Sequence, residues 1–592
     1  MTDISQSTRR GSFKCNLGDN ALAIMRFDGA EAVSELFEYR LDVVSEDHNI
    51  DFDKVLGTNC SISILSNYEK VKRHFNGVMV EAQWVGRIHG NDNKDLSKYR
   101  VVLRPWFWML THKKNCRIFN DETVPQIIEE IFADHDFAAS SHVAELNGSY
   151  PELEYCVQYN ETDYAFVSRL MEEYGIYYYF EHTDSHHTMH LVDNNTSLTD
   201  KSGGVKLDYY ETDLRAPNRG DAVNSVVLGR RFRSGKFSFN DYDYKKPTTD
   251  LETDKEAGEH YANASLEMYH YPGRYDEKSV GEHLATIALE AEQSLDRNVV
   301  TSGDAVTCCP GYSLKLAGHY DSSVNKEYIV LRANHVFHAS GYRSGAGGDE
   351  SYSGSYVFRQ KDLPFRATIK TPKPLIHGPQ TAVVVSEVDE QCRLKVQFFW
   401  DRKKKDSRYV RIRHGWSGKD WGEIRIPRLG MEVIVEYLNG DPDYPLITGT
   451  VYNDDNRAPY DLPSDKSISG VKSDSIGGSG YNEFIMDDRG GSELIRLHAQ
   501  KDMKSDILND ETRKVGNDLT EQILNNWSVT VTNKLTFTVG ASSIVMDPTS
   551  ITITSPSITL NAAAQLNMTS GGIANLTAGG ITTIKGSVVL IN

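Results

Sequence analysis

The sequence predicts a mainly β chain of several modules, ending in a triple-stranded, intertwined β-helix that three copies build together. Three observations carry that prediction. Period-two apolar segments recur between Gly, Asp and Asn turn residues over residues 11–357. Five short strand patterns crowd into residues 380–452. From residue 528 onward an apolar repeat runs on with almost no charge. At 592 residues the chain exceeds the roughly 250–300 at which one core stops growing, so three or more modules are expected.

Within residues 11–357 the segment Tyr39-Arg40-Leu41-Asp42-Val43 typifies the strands, and three helices interrupt them. Residues 122–137 place Pro125 near a first turn and Ile127, Ile128, Ile131 and Phe132 on one face. Residues 162–174 offer Thr162 as cap, Phe166, Leu170 and Tyr174 along one side, and Gly175 as the stop. Residues 279–295 carry the stripe Leu284, Ile287, Ala288, Ala291 and Leu295. Residues 371–379 hold three Pro and one Gly, which disfavours helix and central strand and marks a module boundary. The strands that follow, at 382–386, 394–400, 409–413, 432–438 and 446–452, fit a small barrel of the OB type.

Over residues 528–592 only Lys534, Asp547 and Lys585 have charged side chains, and no helical period appears. Apolar residues stand instead in spaced groups: Val529 and Val531, Leu535 and Phe537, Ile544 and Met546, Ile551 and Ile553, Ile558 and Leu560, Leu566 and Met568, Ile573, Ile581 and Ile584, Val588 and Leu590. The step between groups is mostly seven or eight residues, barely one strand and one turn, where a one-chain solenoid takes some 20 or more per coil. Alone, such a ladder exposes its apolar stripe and its edges, so identical chains must share each layer. Three chains about one axis turn the stripes inward and leave Thr and Ser outside. A lone antiparallel meander or a sticky low-complexity tail is the plainer alternative.

The balance of charge narrows the function. With 64 Lys+Arg against 83 Asp+Glu the net charge is -19, which repels a phosphate backbone, so nucleic acid is not an expected partner. Seven unpatterned Cys indicate neither a disulfide framework nor a zinc ribbon. No apolar stretch reaches the roughly 20 residues that span a bilayer, and residues 1–10 lack the apolar region of a secretory signal. Folding in the cytoplasm is expected, with any later exit by a route that reads no N-terminal signal.

Several segments resemble the VgrG spike proteins of type VI secretion systems, relatives of the fused hub and spike proteins of contractile phage tails. They are Arg104-Pro-Trp-Phe-Trp-Met-Leu110, Cys116-Arg-Ile-Phe119, residues 158–180 and Tyr271-Pro-Gly-Arg-Tyr275, followed by Phe399-Trp-Asp-Arg402, residues 426–433 and residues 440–449 in the OB region. Residues 482–488 and 497–503 look like the family's neck. The resemblance implies β-barrel hub domains over 1–365, a linker at 366–379, an OB-fold at 380–455, a neck at 456–527 and a needle at 528–592. It also implies a homotrimer that sits on an Hcp tube, carries a PAAR-repeat cone at Val589, Leu590, Ile591 and Asn592, contacts baseplate proteins, and delivers effector cargo with or without an adaptor. Such a spike assembles in the bacterial cytoplasm and is injected into target cells. The needle core is then Val529, Val531, Leu535, Phe537, Ile544, Met546, Ile551, Ile553, Ile558, Leu560, Leu566, Met568, Val588 and Leu590. About 75 residues between Tyr452 and the repeats leave little room for the lysozyme domain of some phage relatives, and toxicity is expected to ride as separate cargo. A phage or tailocin hub spike is the nearest alternative, and a glycan-active enzyme the distant one.

No catalytic, cofactor or metal set is assigned. His182, His186, His187 and His190 form the best metal candidate, but on a β hairpin a polar loop is the simpler reading. Adjacent Cys308 and Cys309 cannot easily share a tetrahedral ion and read as inert thiols. Arg402 to Lys405 with Arg408, Arg411 and Arg413 beside Trp400 and Trp416 fit a solvated loop, a protein or glycan contact, or an oligonucleotide face. Gly477 to Gly480 and Gly345 to Gly348 lack full phosphate-loop or dinucleotide spacing and read as turns. Glu161, Asp163, Glu172 and Glu173 offer an acid/base pair for glycan hydrolysis, yet they lie on or near a helix. Tyr177 to Phe180 read as strand packing rather than sugar stacking.

Overall fold

The computed structural model describes residues 4–66, 71–89, 95–138, 141–198, 206–211, 221–342 and 350–591. Gly345 to Gly348 and Asn592 therefore lie outside the described residues. The chain divides into two units, Met1–Asp465 and Lys466–Asn592.

In the first unit twelve strands join one sheet that is rolled into two barrels. The first barrel runs Gly11–Lys14, Asn59–Leu65, Lys72–Ile88, Leu96–Arg104, Glu38–Ser45, Ala23–Ala32 and Glu327–His338. Its alternating sequence buries Phe27, Phe37, Tyr39 and Phe75 in an aromatic core of stacked, tilted and edge-on rings. Side-chain packing brings its two ends together: a Cβ on Gly11 would stand 2.3 Å from the ring of Phe337, so only glycine leaves that ring its space. The second barrel closes by hydrogen bonds. Glu327–His338 pairs with Ser313–Ala317, and the ring continues through Lys206–Tyr209, Ala222–Leu228, Val299–Gly303 and Ser351–Gln360 back to Glu327–His338. One twelve-residue strand thus belongs to both barrels.

Helices pack against short ribbons beside the barrels. Helix α1, Val124–Ala133, starts on a capping box between Thr123 and Gln126 and buries Ile127, Ile128, Ile131 and Phe132. It stops four residues short of the expected 137, where Asp134 turns its carboxylate 2.7 Å from Arg117. Helix α2, Asp163–Glu173, has Thr162 accepting from Ala165 N at its start and Gly175 at φ +73 after its end, as the pattern predicts. Helix α3, Lys278–Gln293, lies on a three-stranded sheet of Lys236–Phe239, Thr253–Glu256 and Glu267–His270.

The expected small barrel is a six-stranded sheet ordered Arg393–Leu394, Val410–Ile412, Pro445–Val451, Glu432–Tyr437, Gln380–Val384 and Val396–Phe398. Its core of Val384, Phe398, Val433 and Ile447 continues into Ile118, Tyr155 and Val157 from the ribbons beside α1 and α2. Hub region and small barrel therefore share one apolar cluster.

The second unit contains two three-stranded antiparallel sheets, Ile468–Lys472 with Glu483–Asp487 and Leu494–His498, and Leu535–Val539 with Ser542–Met546 and Ile551–Thr554. Residues 499–534 and 555–591 form no strand within the chain. The one-strand-per-repeat expectation thus changes at 535–554, where local turns fold the chain back on itself. Gly540 at φ +57 reverses the first pair, and Asp547 Oδ1 accepts from the amides of Thr549 and Ser550, 2.8 Å each, to reverse the second.

Candidate functional site

In the second sheet of this unit the register lines up Leu535, Met546 and Ile551 in one row and Phe537, Ile544 and Ile553 in the next. Because side chains alternate across a strand, all six point to one face, which nothing within the unit's own sheet covers. The first sheet repeats the design with Val471, Phe484 and Leu497 in one row and Met486 beside Ile495 in another, all exposed. Downstream, Ile558, Leu560, Leu566, Met568, Val588, Val589, Leu590 and Ile591 stand exposed on extended chain, as do Val529 and Val531 upstream. Every residue expected in the needle core is thus presented outward or half-buried in the single chain, with unpaired backbone on either side.

Sequence reasoning missed the part that carries charge. Ile507, Val515, Ile523, Val531 and Val539 recur at a strict step of eight, so the repeat begins well before residue 528. That step was available in the sequence, but Lys, Asp and Glu between the apolar positions conceal it from a search for uncharged stretches. The neighbours Leu508 and Leu524 are 97% and 91% exposed, against 47% and 54% for Ile507 and Ile523, so the two positions differ in facing.

The other candidates in the first unit resolve into structural contacts. His187 is buried, shares a hydrogen bond of 2.8 Å with Asn76 Oδ1 through Nδ1 and accepts from Trp106 N at 2.9 Å, which uses both ring nitrogens. His182 lies within hydrogen-bonding distance of Tyr39 and of the Asn76 backbone, His190 meets Glu181 and stacks on Tyr179, and His186 stays in its turn with Thr183. Among the described residues no group of three or more His, Cys, Asp or Glu is arranged to hold a metal. All seven cysteines are free thiols. Burial pushes the Cys308 thiol well up. Tyr177 to Phe180 are buried packing residues.

The four carboxylates around α2 serve as ties. Glu161 pairs with buried Arg169, Asp163 with Arg117 and His135, and Glu173 faces Arg274. Glu172 accepts from the backbone amides of Lys370 and Thr371 at 2.9 and 2.7 Å, fastening residues 366–379 to the helix. Beyond that fastening, Lys373 Nζ lies 2.6 Å from Asp441 and also meets Asp443, while Arg274 Nε is 3.0 Å from Asp441. Burial raises the Asp441 carboxyl, but Lys373 and Arg274 outweigh it and hold the group below the usual range. Of the basic cluster near Trp400, Lys403 reaches Glu130 at 2.7 Å, Arg408 reaches Glu154 at 2.8 Å, and Arg411 lies over the ring of Tyr244. Those cations are spent on the hub region. Gly477 and Gly480, both at positive φ, lie in the turn between Ile468–Lys472 and Glu483–Asp487.

One buried cluster sets a pH response. Glu31 accepts from Tyr39 at 2.8 Å and lies 2.9 Å from His335 and beside Arg73, with His182 3.7 Å away. Burial pushes His182 down to about 4 and His187 well below its usual range. A histidine whose folded pKa is depressed binds its proton more readily when unfolded, so its stabilisation holds above about 6.5 and is lost as pH falls toward 4. Burial opposes ionisation of Glu31 as well, yet Arg73 and His335 outweigh it and depress its pKa, so its loss follows at lower pH. We expect the denaturation midpoint of the full chain to fall between pH 7 and pH 5, and His182→Gln to flatten that slope. An unchanged slope would assign the acid response elsewhere.

Comparison with known proteins agrees with this architecture. Residues 30–341 match the family model described as phage tail baseplate hub (GPD), and residues 380–452 match the type VI secretion system/phage-baseplate injector OB domain. Residues 469–575 match the bacteriophage T4 gp5 C-terminal trimerisation domain. Among curated proteins, the type VI secretion system spike protein VgrG1b of Pseudomonas aeruginosa is 36% identical over 527 residues, 87% of this chain and 70% of that one. VgrG1a of the same organism is 36% identical over 529 residues, 86% of this chain and 80% of that one. Among solved structures, an E. coli type VI secretion component described as similar to T4 tail proteins gp27 and gp5 aligns at TM-score 0.53 and 20% identity, covering 74% of this chain and 99% of that one. A Francisella PdpA-VgrG complex aligns at TM-score 0.55 and 10% identity, covering 92% and 88%; at these identities both likenesses speak to the fold alone.

Proposed function

We propose, from the premise that this chain belongs to the VgrG spike proteins of type VI secretion systems, that it works as a non-enzymatic homotrimeric puncturing spike. The observation that carries this is the apolar face of residues 535–554, continued by extended chain to Ile591. Three such faces turned to one axis bury the stripes, supply strand partners to 499–534 and 555–591, and leave mostly Thr and Ser outside over 535–591 and charged side chains outside over 499–534. A closed rod of this kind resists bending, and over 535–591 it offers little charge to lipid.

The core residues from Val529 to Leu590 would then line the axis, extended upstream by Ile507, Val515 and Ile523. The exposed end at Val589, Leu590 and Ile591, with Asn592, would seat a PAAR-repeat cone, while the hub barrels would stack on an Hcp tube and meet baseplate proteins. Assembly in the cytoplasm and export by the type VI system, with effector cargo attached, completes the reading. The test is solution mass by light scattering: about three times 66.6 kDa, unchanged on dilution, is expected. A stable monomer would overturn the shared needle, and a trimer of a chain ending before residue 588 that still bound a PAAR-repeat protein would move the cone's seat elsewhere.

A further inference from the structure

Within the first unit, residues 414–429 leave the small barrel as an arm whose tip is already folded. Ser417–Gly418 pairs with Trp421–Gly422, and Asp420 at φ +64 makes the turn. Trp416 and Trp421 pack edge to face at 4.9 Å. The glycines permit it: a Cβ on Gly418 would stand 2.3 Å from the Trp421 ring, and one on Gly422 2.4 Å from the Trp416 carbonyl. Yet the indoles are 66% and 56% exposed, and Ile424 and Leu429 are exposed beside them. Ordered, exposed tryptophans are the kind of side chain that dominates binding interfaces.

A second segment leaves the barrel from the same foot. Asn453 donates to Glu432 at 2.8 Å and Asn456 donates to the carbonyl of Gly430 at 3.1 Å, after which residues 457–465 run toward the trimerisation match that begins at 469. Its charge complements the arm. Residues 414–429 hold Lys419, Arg425 and Arg428 against Asp420 and Glu423, with Arg425 2.7 Å from Glu423, whereas residues 452–465 hold Asp454, Asp455, Asp461 and Asp465 against Arg457, which lies 3.9 Å from Asp454. Tyr452 and Leu462 are exposed there, matching the exposed indoles.

Within one chain the two indoles, Tyr452 and Leu462 all stay exposed. We infer that the arm is a clasp between copies: the indoles of one chain cover Tyr452 and Leu462 of the next, with the arm's cations against that chain's aspartates. A second copy is the occupant because residues 452–465 lead directly into the trimerisation domain, which keeps another identical, acidic segment within reach. This rests on the trimeric reading above and adds an interface outside the needle.

The test uses the full-length chain with Trp421→p-benzoylphenylalanine, irradiated after its mass has been measured by light scattering. A covalent two-chain product, mapped to residues 452–465 by mass spectrometry, is the expected result. In the Asp454→Lys, Asp455→Lys background its yield should fall about threefold to fivefold, and Arg425→Glu with Arg428→Glu should restore it. A trimer that yields only single-chain products, or two-chain products mapped elsewhere, overturns the clasp and leaves the needle standing. A monomer before irradiation overturns the needle reading and the clasp with it.

Discussion

Phe537→Asp is expected to reduce the solution mass from three chains to one. Phe537 stands at one end of the row with Ile544 and Ile553, so in the trimer three carboxylates would be forced into one dry layer. An unpaired buried charge costs several kcal/mol even after relaxation, which for three copies amounts to on the order of 10 kcal/mol. The neighbour supplies the control: Thr538 points to the opposite face, so Thr538→Asp should leave the mass at three chains. If both variants remain trimeric, the apolar face is not the axis.

Lys373→Met is expected to weaken the joint between hub region and small barrel more than loss of any surface ion pair. The ammonium is buried between Asp441 and Asp443, and removing it leaves Asp443 without its cation and Asp441 with Arg274 alone. Breaking a buried pair this way costs about 3–5 kcal/mol. Calorimetry should show a transition lowered by several degrees, or a separate early transition for the small barrel. Adding Asp443→Asn should recover much of the loss, because the uncompensated charge is then gone. A single-variant transition matching the parent would mean that solvent reaches the cluster.

How much of this was legible in the sequence depends on how far apart the partners lie. Local signals read well: Thr162 and Gly175 bound α2 because caps act within a few residues, and the strands of the small barrel fall within about two residues of their expected positions. The apolar repeat was legible from spacing alone, although Gly540 and Asp547 fold three of its strands together within one chain. Long-range pairings were not legible. Glu172 and Glu173 resembled candidate acids until Thr371 and Arg274 appeared beside them, about 200 and 100 residues away. The basic run at 402–405 likewise resembled a free surface until Glu130 supplied its partner.

The strand Glu327–His338 runs along both hub barrels, paired over Arg332–His338 with the first and along most of its length with the second. A machine that delivers a blow through such a part has no joint at which the two cylinders can pivot or slip. To part the two cylinders, a load must break one of the ladders that this shared strand makes. The hub is built as an anvil, one sheet running through both cylinders.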